Sequence, residues 1–249
     1  MNKQLKYWWT GWYELMKIKD AYCLCLDKRQ KHWEELREQC ESRGIKFHRF
    51  LVGKGELFPK EEYDYIDSPN PPIENWGYGR EDTAPNHCNA FLSHKVMAAR
   101  AIEEGLEEVL FLEDDAYFTS RYEDFLEKVS DGIDSLDWDM MYLGWWIGNE
   151  YDEWNEIIEE EYLREGSSSV GRVRAAPNPI GGLHAVIIKK KVLEVMSVLP
   201  PIGPVDSILN HNFHNGPFTI NSYYVMPKII HDKGIFSECE QSPCPRRHI

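Results

Sequence analysis

The stretch Glu108-Val109-Leu110-Phe111-Leu112-Glu113-Asp114-Asp115 decides how this chain is read. An unbroken apolar run of this length predicts a strand buried on both faces, as in a parallel sheet. It ends abruptly in three carboxylates. In open α/β sheets, ligands bind beyond the carboxyl ends of the strands. Negative charge concentrated at such a place is costly unless something meets it. A hard divalent cation is one partner, since oxygen ligands suit Mg²⁺ and Mn²⁺. A helix N-cap or a salt-bridged turn is the other reading of the same residues.

Working outward, the pattern alternates strand and helix. Ala21–Leu26 (AYCLCL) predicts a short buried strand, followed by a charged helix near Lys28–Arg43 with Trp33 and Leu36 on one face. Gly44 fits a C-cap. Lys46–Val52 predicts a second strand, closing a β-α-β-like unit. Residues 57–87 hold five prolines and form a long irregular stretch. Asn89–Gly105 predicts a helix, from Phe91, Leu92, Val96, Met97, Ala101 and Ile102 at steps of three and four. Beyond the carboxylates, the pattern predicts a helix over Arg121–Val129 and a strand over Trp138–Leu143. Gly181–Lys189 predicts a strand, Lys190–Leu199 a helix, Pro204–Asn212 a helical segment opening near Asp206, and Ser222–Ile230 a last strand. Strands alternating with helices mean a layered α/β fold with a mostly parallel central sheet. No composition break divides the chain. We read residues 1–249 as one domain, with an aromatic amino-terminal extension over 1–20 and a loosely ordered tail over 241–249.

Composition narrows the function. Against 42 Asp and Glu stand 28 Lys and Arg, a net charge of −14. That balance argues against nucleic acid as a partner, because phosphate neutralisation needs a basic surface. Eight carboxylates fall within residues 150–165, which predicts a solvated helix or a flap. No apolar run reaches the length of a membrane span, and no signal peptide is visible. The expectation is a cytoplasmic protein, with the Trp8-Trp9-Trp12 cluster available for peripheral contact with a membrane or for packing on the domain. Six cysteines are too few for a disulfide scaffold at this length, and none are spaced as a CxxC zinc site. Cys23 and Cys25 alternate within a strand and predict core packing, while a Cys239–Cys244 link stays open.

Several blocks together resemble glycosyltransferase family 25, which includes bacterial lipooligosaccharide galactosyltransferases and collagen galactosyltransferases. Leu26-Asp27-Lys28-Arg29 is similar to the family's amino-terminal element. Asn89-Ala90-Phe91-Leu92-Ser93-His94 resembles its G-C-x-L-S-H signature, and the strand ending in Glu113-Asp114-Asp115 resembles its L-I-L-E-D-D. Trp138–Gly144 resembles W-D-I-L-Y-L-G, Pro204-Val205-Asp206 resembles P-(I/V)-D, and Tyr224–Pro227 resembles Y-x-x-P. The blocks occur in the family's order across nearly the whole chain. The sequence departs where Asn89 and Ala90 replace Gly and Cys, and where Val52-Gly53-Lys54-Gly55 lacks the acidic residue of the family's A-V-D-G.

The resemblance implies a GT-A fold: a Rossmann-like α/β domain holding a nucleotide sugar at the strand ends. It implies an inverting transferase that uses Mn²⁺ or Mg²⁺ to move a hexose, galactose or glucose, from a UDP-sugar to a hydroxyl of a glycan or glycoconjugate, as in lipopolysaccharide biosynthesis. Such chemistry needs a cation on the departing diphosphate, a general base on the acceptor hydroxyl and a pocket that orients the sugar. For the metal the expected ligands are Asp115, Glu113 and His231. The alternative for His231 is a hydrogen-bonded loop residue. For the base the expectation is Asp206, whose alternative is an N-cap carboxylate. Asp27, Arg29, Ser93, His94, Glu113 and Asp114 are the expected donor contacts. A buried structural role is the alternative for His94, and ordinary helix-start charge for Asp27 and Arg29. Trp145 and Trp146 suit either the floor of a sugar site or the core. Two other functions compete. A sugar nucleotidyltransferase would want a Gly-rich basic loop after the first strand, and Asp27–Gln30 has no glycine. A catalytically inactive carbohydrate-binding protein would have no use for the carboxylates.

Overall fold

The computed structural model describes residues 18–51, 84–120, 122–123, 133, 136–147, 169–172, 180–199, 205–206, 208–209, 219–226, 228–233, 236–237 and 242–243. The acidic 150–165 segment, both chain ends and most of the expected Arg121–Val129 helix lie outside these residues. So do Cys239 and Cys244.

Strand β1 (Asp20–Cys25) leads through a 3-10 turn (Asp27–Arg29) into helix α1 (Gln30–Ser42) and then β2 (Lys46–Leu51). β2 lies parallel to β1, as the β-α-β reading required. α1 ends where the chain must turn back toward the sheet. Gly44 takes φ +74°, its N–H donates to the Glu41 carbonyl, and the Ile45 N–H donates to the Cys40 carbonyl. This is a Schellman cap, with Ile45 and Cys40 both buried against each other's turn. Helix α2 (Ala84–Glu103) ends the same way: the Gly105 and Leu106 N–H groups donate to the Ile102 and Ala101 carbonyls ahead of β3 (Glu108–Glu113).

The rest of the chain completes the sheet. The strands β4 (Ala116–Phe118), β5 (Met140–Ile147), β6 (Ser169–Arg172) and β7 (Ile180–Lys189) precede helix α3 (Lys190–Val198). After it come β8 (Ser222–Met226), β9 (Ile230–Asp232) and a small antiparallel pair, β10 (Phe236–Ser237) with β11 (Ser242–Pro243). The main sheet has the order β2-β1-β3-β7-β5-β8-β6. β1, β2, β3, β5 and β8 point one way; β7 and β6 run against their neighbours. This is the mostly parallel, Rossmann-like layering expected of a GT-A domain. The expected last strand is divided in two. β8 stays in the main sheet, whereas β9 leaves it to pair with β4.

The central strands alternate between two cores. Tyr22, Phe111, Tyr142 and Val186 face the layer holding α2 and α3, with Phe91, Met97 and Leu193. Cys23, Leu110, Met141 and Ile187 face the layer holding Trp33, Leu36 and Cys40 of α1, with Ile229 and Ile230 near β9. A strand covered on both sides has no polar face to show, which is why EVLFL and AYCLC read as continuous apolar runs. Each fully buried Leu, Ile or Phe contributes about 1.5–3 kcal/mol. Cys23, Cys25 and Cys40 are free thiols inside this second core. Burial pushes the Cys40 thiol up to about 12. Among the described residues no helix is long and apolar enough to cross a membrane.

Candidate active site

Strand direction gathers the chemistry at one edge. β1 and β3 are parallel, so the Asp27–Arg29 turn and the Glu113-Asp114-Asp115 turn leave the sheet side by side. β7 runs opposite to β3, so its first residues, around Gly182, lie at the edge where β3 ends. β5 also ends there, opposite the start of β7 through the pairs Trp146–Gly181 and Ile147–Ile180. β8 is parallel to β5, and the chain leaving it passes through Lys228 into β9. Asp206 reaches the same edge: its Oδ2 accepts the Gly182 N–H at 3.2 Å.

The three carboxylates are not equivalent. Asp114 turns inward and is 3% exposed. Its Oδ2 accepts the Leu26 N–H at 2.7 Å and its Oδ1 accepts Arg29 Nη1 at 3.0 Å. Burial raises its pKa above the ordinary carboxylate value, while the Leu26 N–H and the Arg29 charge oppose the rise. Asp114 and Arg29 therefore hold the end of β3 to the end of β1. Both were expected as donor contacts, and here they pair with each other at 3.0 Å. Asp27 is the more exposed partner of Arg49, at 2.6 Å, and the Arg49 guanidinium lies 4.2 Å over the Trp33 ring.

Glu113 and Asp115 flank Asp114 and are half-buried rather than interior. The Asp115 carbonyl accepts the Lys233 N–H at 2.9 Å, where β9 runs back along β4. That pairing brings His231 opposite Tyr117, two residues beyond Asp115, with ring centroids 5.8 Å apart. The pairing of β9 with β4 is what brings the chain after Tyr224–Pro227 back to the carboxylates. His231 Nε2 lies 3.2 Å from the Lys228 carbonyl. Among the described residues no three His, Cys, Asp or Glu side chains gather closely enough to hold an ion by themselves. Mg²⁺ is ordinarily held by one or two carboxylates, with substrate phosphates and water completing its shell. The donor set of Glu113 and Asp115 fits that pattern and does not fit an all-protein cage.

Ser93 and His94 are interior. The Ser93 hydroxyl donates to the Asn89 carbonyl and His94 Nδ1 lies on the Ala90 carbonyl, both at 2.7 Å. The His94 ring is 6.1 Å from that of Phe111, and burial lowers its pKa, with the Ala90 hydrogen bond and Asp206 opposing. Trp145 takes the core alternative. It is 1% exposed, its indole N–H donates to the Val225 carbonyl at 2.9 Å, and Tyr224 meets it edge-on. The side chain of Trp146 lies outside the described residues. Sequence reading missed Tyr142 and His184, both buried beside these groups. Their strands look purely apolar, and only the cross-strand register reveals what they face.

Residues 18–175 match the family model described as glycosyltransferase family 25 (LPS biosynthesis protein). No curated protein matches the chain. Among solved structures, the chain is similar to a glycosyltransferase involved in the glycosylation of the major capsid of PBCV-1. The identity is 11%, the match covers 89% of this chain and 95% of that one, and the TM-score is 0.40. It is also similar to HddC from Yersinia pseudotuberculosis complexed with GMP-PN, at 13% identity, covering 91% and 98% of the two chains, with a TM-score of 0.39. Likenesses at that level carry no argument about the reaction, whereas the family match spans more than half of the sequence. The chain belongs to glycosyltransferase family 25 and is a glycosyltransferase.

Proposed function

We propose that this enzyme is a metal-dependent, inverting hexosyltransferase. In this reading it moves galactose or glucose from a UDP-sugar to a hydroxyl of a glycan or glycoconjugate. The observation that carries the reading is the meeting of the Glu113–Asp115 turn and Asp206 at one edge of the sheet, delivered there by oppositely directed neighbours, β3 and β7.

Asp115, with Glu113 beside it, would hold Mn²⁺ or Mg²⁺, and His231 is the third candidate ligand. The cation supplies charge neutralisation for the departing diphosphate. The protein's net charge of −14 adds repulsion toward an anionic donor, which such a counter-charge would offset. Arg29 is already paired with Asp114, and Lys233 with Glu35 at 2.8 Å, so neither is a ready phosphate clamp. Asp206 takes the proton of the acceptor hydroxyl, and the Gly182 N–H holds its Oδ2 at the strand edge. Inversion follows if the acceptor attacks the anomeric carbon from the side opposite the diphosphate.

The test is turnover of UDP-galactose and UDP-glucose against candidate glycan acceptors with Mn²⁺ present. Transfer should stop in excess chelator and return with added Mn²⁺. Asp115→Ala should lower turnover by at least 100-fold while the thermal transition stays cooperative. Full activity in chelator would remove the metal from the reaction, and full activity of Asp115→Ala would remove that ligand.

A further inference from the structure

The strand that follows Asp115 belongs to a ribbon outside the main sheet. β4 pairs with β9 through three register pairs, from Ala116–Asp232 to Phe118–Ile230. A two-stranded ribbon is marginal by itself, so its place must be set by what it packs against. Residues 115, 117 and 119 turn their backbone groups toward β9: the Lys233 N–H donates to the Asp115 carbonyl at 2.9 Å, and the Thr119 N–H to the Ile229 carbonyl at 3.0 Å. Phe118 therefore turns its N–H away from β9, and Gln39 Oε1 of α1 accepts it at 2.8 Å.

Gln39 is the middle of a stripe. Glu35, Gln39 and Arg43 recur every four residues along α1 and its C-cap, and so share one face. The Arg43 guanidinium lies 4.8 Å over the Phe118 ring. Glu35 Oε2 accepts Lys233 Nζ at 2.8 Å, and Lys31 stands 3.9 Å from its other oxygen. The Lys233 hydrogen bond, and then its charge, hold the Glu35 carboxyl below the usual carboxylate range. Of the three grips, Gln39 and Arg43 hold β4 at Phe118, whereas Glu35 holds the chain at the end of β9. It does so at the residue whose own N–H closes the rung to Asp115. The ends of a ladder open most easily, so an anchor there matters more than one in the middle. Asp114, one residue earlier, is held from the other side by the Leu26 N–H and Arg29. The Asp115 backbone is thus fixed between two attachments, one to the turn that begins α1 and one to its second turn.

We propose that Glu35 and Lys233 are positioning residues for the cation, their ion pair pinning the end of the β4–β9 ribbon to α1 and so holding Asp115 where it binds the ion. Their effect passes through Asp115. His231, which faces Tyr117 on the same ribbon, is carried with it. This inference rests on Asp115 being a cation ligand.

The experiment measures the Mn²⁺ dissociation constant from the electron paramagnetic resonance of free Mn²⁺, with the full chain and saturating UDP. It compares wild type, Glu35→Gln, Lys233→Met, Lys233→Arg and Asp115→Ala, and records the thermal midpoint of each. Charge alone predicts opposite shifts: Lys233→Met removes a repelling charge and tightens Mn²⁺, while Glu35→Gln removes an attracting one and loosens it. Positioning predicts that both loosen it, by about 10-fold. Lys233→Arg keeps the ion pair and should bind Mn²⁺ as wild type does. Partly exposed ion pairs contribute little to overall stability, so the midpoints should stay within about 4 °C of wild type. Transfer lost at low Mn²⁺ should return at high Mn²⁺. Opposite shifts in the two variants would overturn the inference, as would unchanged constants in both, or a Lys233→Arg enzyme as loose as Lys233→Met. Should Lys233→Met fold poorly, Glu35→Gln against Lys233→Arg decides the matter, because Glu35 is half exposed on the surface of α1. Wild type that retains no Mn²⁺, or Asp115→Ala that binds it as tightly as wild type, would instead remove the metal reading on which the inference stands.

Discussion

At the scale of single residues, Asp114 shows how adjacent carboxylates divide their labour. Its oxygens are filled by the Leu26 N–H and Arg29, and it is almost fully enclosed. Removing one partner of a buried pair leaves the other charge uncompensated, which costs far more than the pair contributes. Asp114→Ala strands Arg29 and the Leu26 N–H together and should destabilise the protein by about 2–4 kcal/mol. Asp114→Asn keeps an acceptor for Leu26 and should cost less. The pH dependence has a fixed sign. Burial raises the folded pKa of Asp114 above its unfolded value, so its favourable contribution is present below the ordinary carboxylate range and is lost as pH rises through the raised value. Asparagine imitates the protonated form at every pH. Urea midpoints of Asp114→Asn relative to wild type should therefore improve as pH rises through that window, and a gap that widens the other way would contradict the assignment. The sequence displayed the three carboxylates plainly. Which of them turns inward was not legible, because that depends on Leu26 and Arg29 arriving from the turn after β1, 88 and 85 residues earlier.

At the scale of elements, the strands and helices were legible where burial was complete. β1, β3 and β7 appear as apolar runs, and α1 ends at the glycine that its Schellman cap uses. Pairing direction was less legible: HAVIIK does not say that it runs antiparallel between β3 and β5. Nor did WDMMYLGWW separate the core tryptophan from a sugar platform, since Trp145 looks alike in either role. Gly144 shows the local cost of this packing. A Cβ there would overlap the Ile230 carbonyl oxygen and His184 Nε2. One atom belongs to the approach of β9 and the other to β7, so no single side-chain rotation relieves both. Gly144→Ala should cost about 1–3 kcal/mol by overpacking. By contrast, a Cβ at Gly44 meets nothing within 4 Å, and Gly44→Ala should cost about 1 kcal/mol through its positive φ alone. Denaturant midpoints separate the two. Because β9 carries His231, a proposed ligand, the Gly144 variant should also weaken turnover beyond what its stability explains, and the Gly44 variant should not.

At the scale of the whole molecule, the stretch that matches the family stops short of the parts that complete the proposed site. The match ends at residue 175, whereas β7, Asp206, β8 and β9 all follow it. The later strands do not extend an already finished sheet. β7 lies between β3 and β5, hydrogen-bonded to both, and β5 and β3 do not pair with each other. Val186 and Ile188 fill one core and Ala185 and Ile187 the other, so the same strand closes both layers. A chain ending after residue 175 would expose the facing edges of β3 and β5, together with the apolar rows on either side. Unpaired edges of that kind template association rather than folding. Such a truncated chain should show no cooperative thermal transition and should aggregate, whereas the full chain should unfold cooperatively. Cooperative melting of the truncated chain, with a dispersed amide spectrum, would mean that β3 and β5 can close on each other. The site would then owe its geometry to something other than the insertion of β7. If the truncated chain fails to fold, the insertion that completes the sheet is also what sets Gly182 against Asp206 at the edge where Glu113 and Asp115 emerge. Folding and catalytic assembly are then one event in this chain.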